Sequence, residues 1–494
     1  MGQVIHDNTI LNSDSTIVAV ATPPGTGGIA VIRVSGPEAI AICSKGWKGS
    51  DLSGVSSHTV HLGSFSDREG NLLDECVATV FRSPRSYTGE DTVEISVHGS
   101  PWIQRAVVEA ILSYGAKPAE PGEFTRRAFI NGRLDLTQAE GVADLIASSS
   151  RAAHRLAMQQ ASGGFSRKIS ELREKLMEFA SLIELELDFS EEDVEFADRG
   201  KLTELARESR DMLRHLAGTF RSGQVLKAGI PVVIAGPPNA GKSTMLNRLL
   251  REDKAIVTSV AGTTRDILED TIELGGVLFR FFDTAGIHES KDEVELIGID
   301  KAIDRLSNAR IVIWMTDSTT PLQPQLKELE RHLPTLKSND TTLILYHNKA
   351  DLVDHLTEGK TATESETAAT GVTPLTATSE ILSTVRASVN TIELSGSAST
   401  GAGIQLLETT LASIATSEHN PDSELIVTNA RHAAAIEAAA QALTLVIDNL
   451  QDGLSHDFIA MDIREAIAHL SELTGAITTD LLLQNIFSRF CIGK

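Results

Sequence analysis

The spacing of hydrophobic positions changes along this chain, and each change marks a region. Between residues 15 and 35, two short apolar runs flank a Pro/Gly cluster, Thr22-Pro-Pro-Gly-Thr-Gly-Gly28, which predicts strand, tight turn and strand. That turn accounts for Gly25 to Gly28, which do not make a dinucleotide-binding fingerprint. Val77 to Phe81 and Val93 to Val97 predict further strands, and Trp102 to Leu112 predicts an amphipathic helix. From Leu136 the texture becomes helical. Phe165, Ile169, Leu172, Leu176, Phe179, Ile183 and Leu187 step by four, three, four, three, four and four, one apolar stripe on a long helix. Another helix is expected over Lys201 to Phe220. Compact apolar runs then return at Ile230 to Ala235, Phe279 to Asp283 and Thr342 to Tyr346, the pattern of buried strands. Helices follow at His432 to Leu450, Phe458 to Leu470 and Thr478 to Phe487.

The strand at Ile230 runs into Gly236-Pro-Pro-Asn-Ala-Gly-Lys-Ser-Thr244, which fits the phosphate-binding pattern G-x-x-x-x-G-K-[ST] in its strand–loop–helix setting. Asn239, Ala240, Gly241, Lys242, Ser243 and Thr244 are thereby expected at the phosphates. Backbone N–H groups curl toward anionic oxygens, Lys242 reaches the β- and γ-phosphates, and the Ser243 hydroxyl sits on Mg²⁺. In Gly262-Thr-Thr-Arg-Asp266, Thr264 offers a second hydroxyl to Mg²⁺ and the γ-phosphate. Asp283, Thr284, Ala285 and Gly286 end a strand with a carboxylate near the metal and an N–H for the γ-phosphate. Asn348, Lys349 and Asp351 follow another strand, and the Asp351 carboxylate suits the two N–H donors on guanine's Watson–Crick edge. Ser397 and Ala398, ahead of Gly401 and Gly403, fit the last base-contacting loop. These pieces in this order predict a GTP-binding domain.

Ile287 occupies the position where Ras-like GTPases carry a water-orienting Gln. An aliphatic side chain cannot orient water, so hydrolysis must draw that group from elsewhere. The acidic run Asp292 to Glu295 is the nearest source of a carboxylate.

The 494 residues suffice for two to four domains. A net charge of −23 argues against electrostatic clamping of long nucleic acid, and 4% aromatics leave few stacking platforms. Any RNA contact should be local or supplied by a partner. Cys43, Cys76 and Cys491 are too few and scattered for a disulfide framework or zinc site, no apolar run approaches a bilayer span, and the polar N-terminus lacks a signal peptide. A soluble, cytoplasmic protein is expected, with no membrane partner.

Three features keep two readings. Arg33, inside an apolar strand, is either an edge-strand surface charge or an anion ligand. The acidic run Asp188 to Glu195 is a solvated helix end or a metal site. Cys491, in the closing Phe487-Ser-Arg-Phe-Cys-Ile-Gly-Lys494, is packing or a thiolate near Arg489 and Lys494. The Thr/Ala-rich run from Thr361 reads as a flexible loop without chemistry.

The chain resembles the MnmE (TrmE) family of tRNA-modification GTPases nearly end to end. The resemblance rests on Ala21-Thr-Pro-Pro-Gly with Ile32-Arg-Val-Ser-Gly36, on Tyr87-Thr-Gly-Glu-Asp91, on Pro121-Gly-Glu-Phe124, on Leu134-Asp-Leu-Thr-Gln-Ala-Glu140, and on the guanine-nucleotide motifs and Cys-Ile-Gly-Lys. It implies a multidomain α/β fold: an N-terminal α+β folate-binding and dimerisation domain (1–131), and a helical domain in two parts (132–228 and 418–494). Into the helical domain a Ras-like P-loop GTPase domain (229–417), with a parallel-rich sheet and flanking helices, is inserted, itself carrying an insertion near 355–392.

The resemblance further implies that Arg33, Glu94, Arg133 and Lys494 contact a 5-formyltetrahydrofolate-type one-carbon donor, with Cys491 close by. Relatives often carry Lys where Arg133 stands. Asn239, Thr258, Val260 and Thr263 would hold K⁺ where GTPase domains pair across a homodimer. Thr258 and Thr263 thereby join the GTP-binding set, and Glu295 would orient the attacking water. His288 stands where relatives are expected to carry Arg. FAD and NADH chemistry would come from a flavoprotein partner, MnmG (GidA), acting on the wobble uridine of tRNA. The alternative is a regulatory or ribosome-assembly GTPase switch with no part in modification chemistry.

Overall fold

The computed structural model describes residues 15–188, 198–251, 269–283, 309–338, 341–353, 380–417 and 425–493. The chain forms two compact units, one of Met1–Ile146, Met158–Leu213 and Ala435–Lys494, the other of Ala147–Ala157 and Arg214–Ala434.

The first unit opens with a seven-stranded sheet in the order β3-β4-β5-β6-β2-β1-β7. Its strands are β1 (Ile17–Val20), β2 (Ile29–Ser35), β3 (Trp47–Gly49), β4 (Thr59–Ser66), β5 (Leu72–Phe81), β6 (Thr92–His98) and β7 (Lys117–Pro118). Neighbours run antiparallel except β1 and β7. Period-two alternation sends Ile32, Val34, Ala78, Val80, Val93 and Ile95 to one face, where helices Ala39–Gly46 and Pro101–Ser113 cover them. On the other face Ile17 and Ala19 meet Phe124, with Tyr87 packed against them. β2 lies between β6 and β1, so Arg33 stands inside the sheet and the edge-strand reading fails. The sequence pattern also missed β4, because its Val60 and Leu62 are 64% and 69% exposed and only its last two residues are buried.

The long helix Gly164–Asp188 buries Ile169, Leu172, Leu176 and Ile183 as the stripe requires, with Ala180 buried beside a half-buried Phe179. It packs on helix His456–Thr474, whose Ile463, Ala466 and Leu470 are buried, and Arg464 reaches Glu184 at 2.6 Å. The acidic residues from 189 onward lie outside the described residues. Helix Ala430–Gln451 has the length and mean hydropathy, 1.2, of a membrane span, contrary to expectation. A buried stripe of Ala435, Ile436, Ala439, Ala440, Leu443, Val446 and Ile447 explains that composition within a protein core.

The second unit holds a six-stranded sheet in the order β13-β12-β11-β8-β10-β9. These are β8 (Ile230–Ala235), β9 (Glu269–Leu274), β10 (Val277–Asp283), β11 (Ile311–Asp317), β12 (Thr342–Asn348) and β13 (Thr391–Ser395), parallel throughout except for the β9–β10 pair. The central strands are apolar on both sides. β8 sends Val232 and Ile234 to one core layer and Val233 and Ala235 to the other. Lying between β10 and β11, β8 ends at a switch in strand order, where open α/β sheets bind ligands. The single helix expected over Lys201 to Phe220 is instead two, Arg199–Gly218 and Phe220–Ala228. The break falls at Thr219, whose hydroxyl donates to Leu216 O at 2.7 Å and accepts from Val427 N at 3.0 Å.

Leu176 is fully buried. Leu176→Ala should cost about 2–5 kcal/mol through lost transfer energy and a residual cavity. Denaturant unfolding would show it as a lower midpoint, and an unchanged midpoint would contradict the buried stripe.

Candidate functional site

The loop after β8 is shaped by close backbone approach. Gly236 has φ +137°, and a Cβ there would lie 2.2 Å from Met315 O. Gly241 has φ +97°, and a Cβ would lie 2.3 Å from Asn348 Nδ2, so neither position admits a side chain. Asn239 takes the left-handed conformation at φ +62°. Lys242 is buried at the start of helix Lys242–Arg251, its Nζ donating to Gly236 O at 2.8 Å and Pro237 O at 3.0 Å. The ammonium therefore lies over the loop that is to receive phosphate. Ser243 and Thr244 are exposed in the first helical turn, beside the positive end of the helix dipole.

Asn348, 3% exposed at the end of β12, joins this loop to the last one. Its Nδ2 donates to Ala240 O at 2.7 Å, and its Oδ1 accepts from Ala398 N at 2.8 Å. Lys349 sits at φ +63° with its Nζ 2.6 Å from Asp317 Oδ2. Burial pushes the Asp317 carboxyl up, but hydrogen bonds from Lys349 and Thr319 outweigh it and hold it below the usual carboxylate range. Asp351 Oδ1 is buried and hydrogen bonds to no protein group. Such an acceptor needs a donor, and the paired N–H groups of guanine fit it. Ser397 and Ala398 are buried in a loop closed by Ser397 N to Ala402 O and Gly401 N to Ser397 O, both 2.8 Å.

The remaining residues expected at the nucleotide fall on chain that is not described. Thr258, Val260, Thr263, Thr264, Thr284, Ala285, Gly286, Ile287, His288 and Glu295 lie outside the described residues, as does the run from Thr361. Asp283 closes β10 opposite Ile234 of β8, which brings its backbone beside the strand that feeds the phosphate loop. Among the described residues no three His, Cys, Asp or Glu side chains could hold a metal. The Ser243 hydroxyl, expected on Mg²⁺, is exposed at the start of the helix.

A second cluster lies in the first unit. Arg33 Nε and Nη2 each lie 2.8 Å from Glu94 Oε1, since β2 and β6 pair these residues in register. The guanidinium carbon sits 5.3 Å from the centre of the Tyr87 ring and 5.6 Å from that of Phe124. Sequence reasoning quoted the motifs that carry these rings but gave neither ring a role. Tyr87 is raised above its ordinary pKa, chiefly by burial, and its hydroxyl lies 2.9 Å from Thr125 Oγ1. Beneath the Tyr87 loop, buried Arg127 bonds Glu90 at 3.2 Å and Glu123 at 2.8 Å, a network the sequence pattern did not reveal. Arg133 is exposed, its Cγ 3.3 Å from the point where a Cβ on Gly89 would sit. The tail comes to the same region. Cys491 O accepts from Gly122 N at 3.4 Å, and a Cβ on Gly493 would lie 2.3 Å from Val20 O. The Cys491 side chain is exposed rather than packed. Lys494 lies outside the described residues.

A parallel-rich sheet, a glycine-shaped phosphate loop and an orphaned carboxylate suited to guanine define a P-loop GTPase. A family model described as the MnmE helical domain matches residues 136–491, and one described as the GTP-binding protein TrmE N-terminus matches 16–133. The tRNA modification GTPase MnmE of Christiangramia forsetii is 46% identical over 97% of this chain and 99% of its own length. That of Bacteroides thetaiotaomicron is 46% identical over 98% of this chain and 100% of its own length. Among solved structures, the FeoB G domain of Methanococcus jannaschii covers 38% of this chain and 96% of its own, at 24% identity and a TM-score of 0.24. The assignment rests on the sequence matches. The chain belongs to the MnmE (TrmE) family of tRNA modification GTPases, and is a GTP-hydrolysing enzyme.

Asp351→Asn sets an amide donor against the N–H groups of guanine. Affinity for GTP should fall about 10- to 100-fold, with gain for xanthosine triphosphate, whose C2 carbonyl accepts. Competition binding with both nucleotides decides it, and unchanged preference would remove Asp351 from base recognition.

His347 is buried, with Nδ1 2.8 Å from Thr316 Oγ1 and Nε2 making no hydrogen bond. Burial lowers its pKa from the ordinary 6.5, and the Glu393 charge only partly opposes this. The unfolded chain therefore takes up a proton here before the folded one does. This contribution to stability is present above pH 6.5 and is lost as pH falls below it toward the lowered folded value. The unfolding midpoint should drop less steeply between about pH 7 and 5.5 in His347→Asn than in the parent. Equal slopes would rule the contribution out.

Proposed function

We propose that this GTPase acts in the cytoplasm as part of the machinery that adds an aminomethyl or carboxymethylaminomethyl group to position 5 of the tRNA wobble uridine. In this reading residues 1–131 bind a 5-formyltetrahydrofolate-type donor and dimerise. Residues 229–417 form the inserted GTPase domain, with its insertion near 355–392, between helical parts 132–228 and 418–494. The observation that carries the reading is the second cluster. Arg33, paired with Glu94 and walled by Tyr87 and Phe124, is a cation beside flat aromatic surfaces, a setting suited to a planar, anionic ligand. A simple GTPase switch has no need of it. Arg133 and Lys494 would add charge to the same ligand, and Cys491 would lie within its surroundings.

Ile29 on β2 and Val60 and Leu62 on β4, 69%, 64% and 69% exposed, support burial against a second copy of the chain. Mg²⁺ would be held by Ser243 and Thr264. K⁺ would be held by Asn239, Thr258, Val260 and Thr263, and would supply positive charge at the nucleotide. Glu295 would orient water in place of the side chain that Ile287 lacks. The flavoprotein MnmG would bring FAD and NADH chemistry, and with it much of the tRNA contact that a chain of net charge −23 disfavours.

Mass spectrometry of tRNA nucleosides from cells lacking the gene, complemented with the parent, Arg33→Ala or Glu295→Ala, tests this. The parent should restore the modified wobble uridine and both variants should fail. Arg33→Ala should also lose folate binding while keeping GTP turnover. Glu295→Ala should lose the advantage of KCl over NaCl in that turnover. Unmodified nucleosides with the parent present would return the protein to a regulatory or ribosome-assembly switch.

A further inference from the structure

The base loop is held from a second side. Arg248 lies on the helix that begins at the phosphate loop, and its Nη2 donates to Ser399 O at 3.4 Å. Gly401, at φ +91°, closes the same loop, and a Cβ there would lie 2.5 Å from Arg248 Nη2 and 3.1 Å from its Nε and Cζ. The guanidinium therefore lies directly against the glycine; the backbone angle favours Gly401, and a Cβ there would push the arginine head aside. Arg248 is half-buried: its Nε is covered and makes no hydrogen bond, while Nη2 reaches the loop from the solvent side. Ser397 and Ser399 hydroxyls, 2.9 Å apart, stiffen the segment on which it rests.

We propose that Arg248 is a positioning residue for GTP turnover, linking the phosphate-loop helix to the Ser397–Gly401 base loop. Asn348 ties the two loops through the end of β12. Arg248 ties them again through the helix, so that the phosphate side and the base side are held at a fixed separation. It acts through the base loop, by way of Ser399 O and Gly401, and its effect is on how long the nucleotide stays bound. A planar fork is needed to lie on Gly401 while reaching Ser399 O. The single ammonium of a lysine keeps the charge but not the plate.

Stopped-flow release of a fluorescent GDP, single-turnover GTP cleavage and thermal unfolding should be measured on the full chain. Arg248→Ala should raise the release rate about 3- to 10-fold, the size of one lost hydrogen bond, and leave single-turnover cleavage within about twofold. Arg248→Lys should keep most of the defect. Gly401→Ala should cost less in the Arg248→Ala background than in the parent, because the side chain it would strike is gone. Unchanged release in Arg248→Ala, full recovery in Arg248→Lys, or strictly additive costs would overturn the proposal. So would a loss of cleavage equal to the loss of binding, or release rates that merely track the unfolding midpoint in every variant.

Discussion

One buried amide holds the nucleotide site together. Asn348 spends both halves of its side chain on backbone, donating a hydrogen bond to the phosphate loop and accepting one from the base loop. Neither loop belongs to regular structure, so each depends on outside restraint to keep its N–H groups aimed inward. A side chain with a separate donor end and acceptor end can tie two such loops at once. Gly241 follows from the same constraint, since a methyl group there would occupy the place of the amide. Gly236 answers a similar demand, since Met315 O of β11 lies too close to admit a side chain.

The first unit solves a related problem with charge. Arg127 and Glu123 are 4% and 7% exposed, and a charge so placed is tolerable only when paired and hydrogen-bonded. Arg127 meets Glu90, Glu123 and Ser15 O, while Glu90 also accepts from Ser35 at 2.9 Å. These contacts fasten the loop bearing Tyr87 to β2 and to the helix bearing Phe124. The two rings beside Arg33 are thus set by a salt-bridged scaffold beneath them.

The nucleotide site was the more legible part of the sequence, because its motifs are local and each glycine or polar residue acts within a few positions of its neighbours. β8 begins and ends where its apolar run does, and the long helix buries the stripe its spacing predicts. What sequence left dark was long-range. Nothing in the residues around Arg33 says that β2 is an interior strand, since strand order is set by pairing across the chain. Arg127 lies 37 positions from Glu90, and no periodicity links them. β4 escaped notice because a half-exposed strand with glycine and serine lacks the apolar contrast on which such readings depend. Arg248 meets the loop carrying Ser399 across 151 positions, and no local pattern announces that contact.

The contact of Gly493 with Val20 O has a consequence for the order of events during synthesis. β1 and β2 form a hairpin from residues made early, and β6, made well before the helical segments, pairs against β2. The Cys491–Gly493 segment must wait for both units to leave the ribosome before it can dock beside that hairpin. The packing against Val20 is thus finished last, although the strand it covers is laid down first. Until then the sheet carries an uncovered edge of backbone at Val20. An early strand that receives its last neighbour from residues made hundreds of positions later ties the finished packing at Val20 to translation of the segment at Gly493.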